Sequence, residues 1–444
     1  MNTKLFRINN ADNVAVSTIP LFKGDVVNIE DEVLTLLGDV PLGHKVALKD
    51  IPSGSEIVKY GYAIGEAVKD IQKGEPVHFS NVRSIPLDGK KKGYDEESAS
   101  RFRSAYSKRA EKWVGHIPSI WVYERESGEI GIRNHLLLIS LDKEGCRLSK
   151  AIEKWAKENI ELEDGISTLN PCQDEIYLDI KKLKDLLAHP NIGGALLLGR
   201  DAQLELQSLD SPRVRVLTEL DSRDAETKAR ELVKELISMM KRDKRSSQKM
   251  DRLAIAIEST EAGFLEDAIV NPLLGNLCNE LSAMGTTLVI PASSGMAEAW
   301  DKVMVRAESK NAYDNLEALS ASIRRPRLEL SLEDKTKGFS TVEERALSHI
   351  QISGTTPIGD TLPSDSNASE KGLRLLFSNP LEKPDALISS KVHLTLSSDE
   401  PIEPFIPRLC AKGFVDEVLQ VGKERVSDDL ISLIAELANG EIRT

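Results

Sequence analysis

The chain has 444 residues, of which 40% are hydrophobic and 29% are charged, as in ordinary globular proteins. This length exceeds the usual size of one domain and predicts two or three domains. The net charge of −13 argues against nucleic acid or an anionic membrane as the main partner, because both need a basic surface.

The chain shows no sign of export. No apolar run approaches the ~20 residues that a membrane helix needs, and the first ten residues, MNTKLFRINN, lack the apolar core of a signal peptide. The cysteines are single and form no CxxC pair, which argues against a disulfide framework or a structural zinc site. They are Cys146, Cys172, Cys278 and Cys410. We therefore expect a cytoplasmic protein.

Residues 1–82 are predicted to form a compact β-module. Glycines recur at short intervals between 41 and 81, where they favour turns, and KVAL, EIVKYG and EPVHF between them read as strands. The connecting loops hold side chains that can move protons or bind a carboxylate. These side chains are His44, Lys45, Lys59, Tyr60, His78 and Asn81.

Residues 83–112 are predicted to be a charged linker with one helix after Glu96. Strands and helices then alternate through residues 113–245 and again through 246–444, which predicts two α/β units with mainly parallel sheets. The polar stretch 243–251 is expected to be the junction between them. Within the last unit, the pattern predicts a helix beginning at Pro272 and another over 295–307.

Several of these segments resemble one known family. DNVAV, GHKVALKDI, IVKYGYAIGEA and GEPVHFSN resemble the N-terminal SAF-type β-clip module of altronate and galactarate dehydratases. The segments GEIGIRNHLLLIS, HPNIGGALLLGRDAQ, NPLLGN and EERALSHIQISGTTPI extend the resemblance over nearly the whole chain. It implies an α/β fold in which a small SAF-like β-clip module precedes two α/β units.

The chain departs from the family pattern in loops that are normally rich in Cys, Gly, His and Arg. The loop after HPNIGGALLLG reads Arg200, Asp201, Ala202, Gln203 without the family's Cys, and ESTEAGFLED replaces a Cys-Gly-Gly-Ser-Asp loop. After the last strand, Ser-Ser-Asp-Glu-Pro stands where the family has Thr-Thr-Gly-Arg-Gly. These exchanges remove soft metal ligands and positive charge, which leads to the hypothesis of an altered active site.

The resemblance implies a carbon–oxygen lyase that acts on a sugar acid or a related hydroxy acid. Its candidate catalytic residues are His44, His78 and Lys59. The candidate substrate-binding residues are Lys45, Tyr60, Asn81, Arg133, Asn134 and Arg200. A divalent metal, Fe²⁺, Mn²⁺ or Mg²⁺, could assist or could have been lost, and the sequence does not identify its ligands.

Two alternatives remain open at this point. The first is a non-catalytic paralogue that binds a ligand or serves as the partner subunit of a dehydratase. The second is a lyase that eliminates sulfite from a sulfonated hydroxy acid. The expected partners are a small acidic molecule and, in addition, a second copy of the chain or a related dehydratase.

Overall fold

The computed structural model describes most of the chain in twelve segments. They are residues 3–30, 32–85, 93–170, 180–200, 211–258, 264–323, 330–359, 374–378, 392–395, 406, 408–410 and 414–442. Within this described part, no helix is long and apolar enough to cross a membrane. An N-terminal group of antiparallel strands precedes two parallel sheets with helices, which confirms the predicted fold class.

The β-module consists of short strands joined by tight turns. Its strands are β1 (Leu5–Phe6), β2 (Val14–Ser17), β3 (Val26–Ile29), β4 (Glu32–Thr35), β5 (Lys45–Ala47), β6 (Glu56–Lys59), β7 (Tyr62–Ala67), β8 (Pro76–Val77) and β9 (Val82–Arg83). They form the antiparallel sheets β1-β2-β5-β8, β6-β7-β9 and β3-β4. In β3, buried and exposed residues alternate, as expected for a strand with one face toward the core.

Helix α1 (Glu96–Glu111) follows the β-module and confirms the helix predicted after Glu96. Asp95 caps it by accepting hydrogen bonds from the backbone of Glu97 and Ser98. Although its surface is highly charged, the helix is held in place, because the Tyr106 hydroxyl donates to the Ser282 carbonyl at 2.8 Å.

A small antiparallel sheet follows, with the strand order β11-β10-β16. Its strands are β10 (Ser119–Glu124), β11 (Ile130–Gly131) and β16 (Arg245–Lys249). Much of the polar stretch 243–251, the expected junction between the two α/β units, is strand: residues 245–249 form β16 and pair with β10, and a turn of 3₁₀ helix follows at Met250–Arg252. The strand is polar because it is half-exposed, so its sequence lacks the apolar signal of a buried strand.

The first parallel sheet has the strand order β13-β12-β14-β15, and all of its neighbouring pairs are parallel. Its strands are β12 (His135–Ser140), β13 (Ile166–Leu169), β14 (Ile192–Leu198) and β15 (Val214–Leu217). The accompanying helices are α2 (Lys143–Asn159), α3 (Ile180–Leu187) and α4 (Ala225–Met240). Strands β12 and β14 are buried throughout, as expected for a sheet covered on both faces.

The second parallel sheet has the order β19-β18-β17-β20-β21. Its strands are β17 (Ala254–Glu258), β18 (Thr287–Pro291), β19 (Arg374–Ser378), β20 (Val392–Thr395) and β21 (Arg408–Cys410). In chain order this is 3-2-1-4-5, so the direction of strand addition reverses between β17 and β20. In open parallel sheets, ligands bind beyond the carboxyl ends of the strands at such a reversal.

The described part of the last unit also contains α-helices. They are α5 (Phe264–Met284), α6 (Trp300–Met304), α7 (Lys310–Ile323), α8 (Leu332–Thr336), α9 (Val342–Ile350), α10 (Phe414–Val421) and α11 (Lys423–Asn439). The predicted helix over 295–307 was wrong in type, because Ser294–Ala299 is a 3₁₀ helix and only α6 is α-helical.

Helix α5 also begins earlier than predicted, because Pro272 lies inside it rather than at its start. A proline in a helix interior removes one hydrogen bond and costs roughly 3 kcal/mol. The first two turns of α5 bury apolar side chains such as Ala268, Ile269 and Val270, and this burial offsets the cost. Local sequence signals therefore placed the start of the helix two turns too late.

Candidate active site at the junction of the β-module and the last sheet

The contact between the β-module and the last unit contains a buried ion triad of Lys45, Lys59 and Glu344. The Lys59 Nζ lies 2.8 Å from Oε1 of Glu344, and the Lys45 Nζ lies 3.0 Å from Oε2. All three side chains are at most 1% exposed. Two lysines against one carboxylate give the triad one formal positive charge in excess.

Each member of the triad is placed by a different element. Lys45 begins β5, Lys59 ends β6, and Glu344 lies in the first turn of α9. Thr341 caps α9, since its Oγ1 accepts from the backbone N–H of Glu344 at 3.1 Å. The same hydroxyl donates to the Ile64 carbonyl, which ties the start of α9 to strand β7. The helix and the hairpin are thus joined beside the triad.

The Glu344 carboxylate remains ionised although it is buried. Burial raises its pKa, but the attraction of Lys45 and Lys59 outweighs this and lowers the pKa to about 2. Ser340 contributes two further hydrogen bonds to Oε2, from its backbone N–H at 3.0 Å and its hydroxyl at 2.9 Å. Burial lowers the pKa of Lys59 to about 8, although the attraction of Glu344 acts in the opposite direction and raises it.

The triad adjoins the start of helix α5. The Lys59 Nζ lies 4.4 Å from the centroid of the Phe264 ring, and the Lys45 Nζ lies 5.9 Å from it. Phe264 is the first residue of α5, the helix that follows β17, the strand at which the sheet order reverses. The β-module therefore contacts the start of the helix that follows this strand, and ligand sites of such folds occur beyond the carboxyl ends of the strands.

Two histidines of the β-module lie next to the triad. The rings of His44 and His78 are stacked with centroids 5.4 Å apart. The His44 Nε2 lies 3.1 Å from the Thr336 carbonyl oxygen. Because a carbonyl only accepts, Nε2 carries the hydrogen, and Nδ1 of the neutral ring holds the lone pair. Burial lowers the pKa of both histidines.

Asn81 fixes the loop that carries His78. Its Oδ1 accepts from the backbone N–H of His78 at 2.8 Å, and its Nδ2 donates to the Pro76 carbonyl at 2.9 Å. Tyr60 is also at the junction, with its ring centroid 4.6 Å from the Lys59 Nζ. Six of the nine residues named from the sequence, those of the β-module, are therefore brought to one region.

The other three candidates flank strands of the first parallel sheet. Arg133 and Asn134 precede β12, and the Arg133 guanidinium donates to the carbonyls of Leu437 at 2.8 Å and Ile442 at 3.1 Å. Arg200 follows β14, is exposed, and pairs with Asp221 at 2.6 Å. Their contribution to substrate binding remains a prediction. The substituted loop residues Asp201 and Asp399 lie outside the described residues.

No group of three or more His, Cys, Asp or Glu side chains in the described segments is arranged to hold a metal ion. The stacked His44 and His78 supply two imidazoles without a third ligand among these residues. The described residues thus do not form a complete metal site.

Glu344 was not among the site residues named from the sequence. It lies in the segment EERALSHIQISGTTPI, which carried part of the family resemblance, but it is separated from Lys59 by 285 residues. The buried carboxylate and the two buried lysines are far apart in the chain, so no local sequence pattern predicts that they are in contact.

Two domain models match the chain. Residues 3–85 match the altronate/galactarate dehydratase SAF domain, and residues 122–241 match the second domain of D-galactarate dehydratase/altronate hydrolase. These matches indicate a sugar-acid dehydratase-like protein with an N-terminal SAF domain.

Comparison with individual proteins extends the match to nearly the full length. The chain is 27% identical to altronate dehydratase from Escherichia coli (strain K12) over an alignment of 482 positions, which covers 98% of this chain and 95% of the relative. It is 26% identical to altronate dehydratase from Bacillus subtilis (strain 168) over 434 residues, covering 90% and 85%. The chain belongs to the altronate/galactarate dehydratase family.

A shorter match concerns a different reaction. The chain is 43% identical over 51 residues to the alpha subunit of (2R)-sulfolactate sulfo-lyase from Paracoccus pantotrophus, covering 12% of this chain and 76% of that subunit.

Proposed function

We propose that this protein is a hydro-lyase that dehydrates a sugar acid, and that its reaction takes place at the junction of the β-module and the last sheet. The observation that carries the proposal is the stacked pair His44 and His78 beside the buried triad of Lys45, Lys59 and Glu344. Full-length similarity to altronate dehydratases supports the reaction class.

Dehydration of a 2,3-dihydroxy acid needs a base and an acid. The base takes the proton from C2, the C2 electrons form a double bond to C3, and the C3 hydroxyl leaves as water after receiving a proton. The resulting enol becomes a 2-keto acid. Imidazoles with a lowered pKa suit both roles, since the neutral ring accepts a proton and the protonated ring is a stronger acid.

In the proposed mechanism, one of the two rings, through Nδ1 in the case of His44, accepts the proton from C2. The other ring donates a proton to the leaving C3 hydroxyl. Lys59 and Lys45 act electrostatically, because their excess positive charge stabilises negative charge that develops on the substrate carboxylate. A divalent metal, Fe²⁺, Mn²⁺ or Mg²⁺, belongs to the proposal as a component that the assay must include.

The test is formation of 2-keto acid from altronate and galactarate, with and without each metal. We expect His78→Gln to lower kcat by about 10²- to 10⁴-fold, the usual contribution of a positioned acid or base. His116→Gln is the matched control, because His116 is exposed and its ring Nδ1 lies 3.0 Å from the carbonyl oxygen of Val114, two residues away. Turnover by His78→Gln equal to that of the wild type would remove the histidine pair from the chemistry.

A wild-type protein that binds these acids without forming keto acid would instead support the non-catalytic alternative. In that case the protein would bind a ligand or serve as a partner subunit of a related dehydratase, and its co-purification with such a protein would be the next measurement.

The similarity to a sulfolactate sulfo-lyase subunit favours one second candidate, elimination of sulfite from a sulfonated hydroxy acid. The same base could take the C2 proton while sulfite leaves C3. Release of sulfite from sulfolactate, with no keto acid from altronate or galactarate, would favour this candidate over the dehydratase.

A further inference from the structure

The hairpin between β6 and β7 has an unusual turn. Lys59 pairs with Tyr62, so Tyr60 and Gly61 are the two turn residues, and both have positive φ, 61° and 77°. Positive φ at both positions is the signature of a type I′ turn, which favours Asn-Gly. A bulky aromatic residue in this conformation is strained, and strain of this kind concentrates at functional positions.

The turn is held in this conformation by Asp12. Its Oδ1 accepts from the backbone N–H of Gly61 at 2.7 Å, and its Oδ2 accepts from the backbone N–H of Asn9 at 2.9 Å. Asp12 is buried, and it anchors the turn to the segment that precedes β2. The fold thus provides specific contacts that keep Tyr60 in the strained position.

The hydroxyl of Tyr60 is buried and has no hydrogen-bond partner among the described residues. The residue as a whole is only 2% exposed. Buried hydroxyls are almost always paired, because an unpaired one has lost its bonds to water without replacement. The hydroxyl remains protonated, since burial, followed by the nearby Glu344, Asp267 and Asp12, raises the pKa of Tyr60. It is therefore a hydrogen-bond donor in need of an acceptor.

We propose that the Tyr60 hydroxyl donates its hydrogen to a neutral hydroxyl oxygen of the bound polyhydroxy acid, which makes Tyr60 a specificity residue for hydroxylated substrates. This inference rests on the proposed function. A neutral oxygen fits better than a carboxylate, because the carboxylates of Asp12 and Asp267 near the ring would repel a second anion. The substrate carboxylate would instead lie on the side of the two lysines.

The test uses the full chain with Tyr60→Phe, which keeps the ring and removes the hydroxyl. Without ligand, we expect a Tm equal to or above that of the wild type, because a buried unpaired polar group has been removed. With galactarate, we expect Kd to rise by about tenfold, the usual effect of losing one hydrogen bond to a ligand. Adipate, the same diacid without hydroxyls, should bind both proteins equally weakly.

Tyr106→Phe is the matched control. The Tyr106 hydroxyl has a structural partner in the Ser282 carbonyl, so this variant should lower the Tm and leave the galactarate Kd unchanged. If Tyr60→Phe behaves in the same way as this control, the proposal is overturned, as it is if galactarate does not bind the wild type.

The two proposals fail in different ways. Keto acid formation that Tyr60→Phe leaves unaltered would keep the dehydratase and overturn the role of Tyr60. Weaker galactarate binding by Tyr60→Phe, with no keto acid formed by the wild type, would keep the role of Tyr60 and remove the dehydratase.

Discussion

Glu344 is the residue on which the junction depends most. Its two oxygens face Lys59 and Lys45, and the backbone and hydroxyl of Ser340 occupy further acceptor positions. A buried ion pair adds little stability compared with apolar residues, but removal of one partner leaves a charge that is both buried and uncompensated. Here one removal would leave two lysines without the carboxylate that pairs with both of them.

We predict that Glu344→Gln lowers the free energy of unfolding by about 3 kcal/mol, the usual cost of breaking a buried pair. Urea denaturation at neutral pH would measure it. Glu333→Gln is the control, because Glu333 pairs with Lys337 on the surface at 2.6 Å, and such pairs contribute less than about 1 kcal/mol. Equal effects of the two substitutions would contradict a special role for Glu344.

The Glu344 carboxylate also contributes to the loss of folding stability at low pH. Its pKa falls from an ordinary 4.5 to about 2 on folding, so between these values the folded state binds fewer protons than the unfolded state. Stability from Glu344 is therefore complete above about pH 4.5 and lost as the pH falls toward 2. The stability difference between the wild type and Glu344→Gln should accordingly shrink from pH 6 to pH 3. A constant difference would show that Glu344 is not ionised in the folded protein.

At the scale of elements, the sequence predicted those strands and helices whose local pattern agrees with their environment. The buried strands β12 and β14 are continuous apolar runs, and helix α1 has a cap and charges that match its dipole. Prediction from the sequence failed where tertiary packing determines the secondary structure. Examples are the first two turns of α5 before Pro272 and the half-exposed strand β16. Neither has a local signal.

Close contact between α5 and the segment after α9 depends on two glycines. A Cβ on Gly275 would lie 2.1 Å from the Gln351 carbonyl oxygen and 3.0 Å from the Cα of Gly354. Both obstacles are backbone atoms, which cannot rotate away. We predict that Gly275→Ala lowers the free energy of unfolding by about 2 kcal/mol or more, despite the higher helix propensity of alanine.

Gly93→Ala provides the comparison for Gly275→Ala. A Cβ at Gly93 meets no atom of the described residues within 4 Å, and the φ of Gly93 is not in the left-handed region, so the effect of Gly93→Ala on thermal stability should be close to zero. A Gly275→Ala protein as stable as Gly93→Ala would mean that the two segments pack less closely than described.

For the whole molecule, the β-module and the last unit share one hydrophobic core. Ile57, Tyr60 and Ile64 of the β-module belong to the same buried cluster as Phe264 and Leu273 of α5. The candidate residues of the β-module could be found from the sequence because all of them lie within one stretch of about 40 residues, from His44 to Asn81. Their partner Glu344 could not, since its contact with them exists only after the two parts have folded together.

These contacts predict that the junction does not depend on the covalent connection between the parts. Besides the triad, His44 is hydrogen-bonded to Thr336, Lys45 to Gly338 and Thr341 to Ile64, all across the same interface.

If a protease site is introduced within residues 86–92 and cleaved in the folded protein, we expect both fragments to co-elute in size-exclusion chromatography at physiological salt. A shared apolar core and buried ion pairs resist salt, whereas surface ion pairs are screened. Cleaved Glu344→Gln should release the β-module more readily than cleaved Glu333→Gln. Separation of the wild-type fragments immediately after cleavage would show that the linker, rather than the buried junction, holds the two parts together.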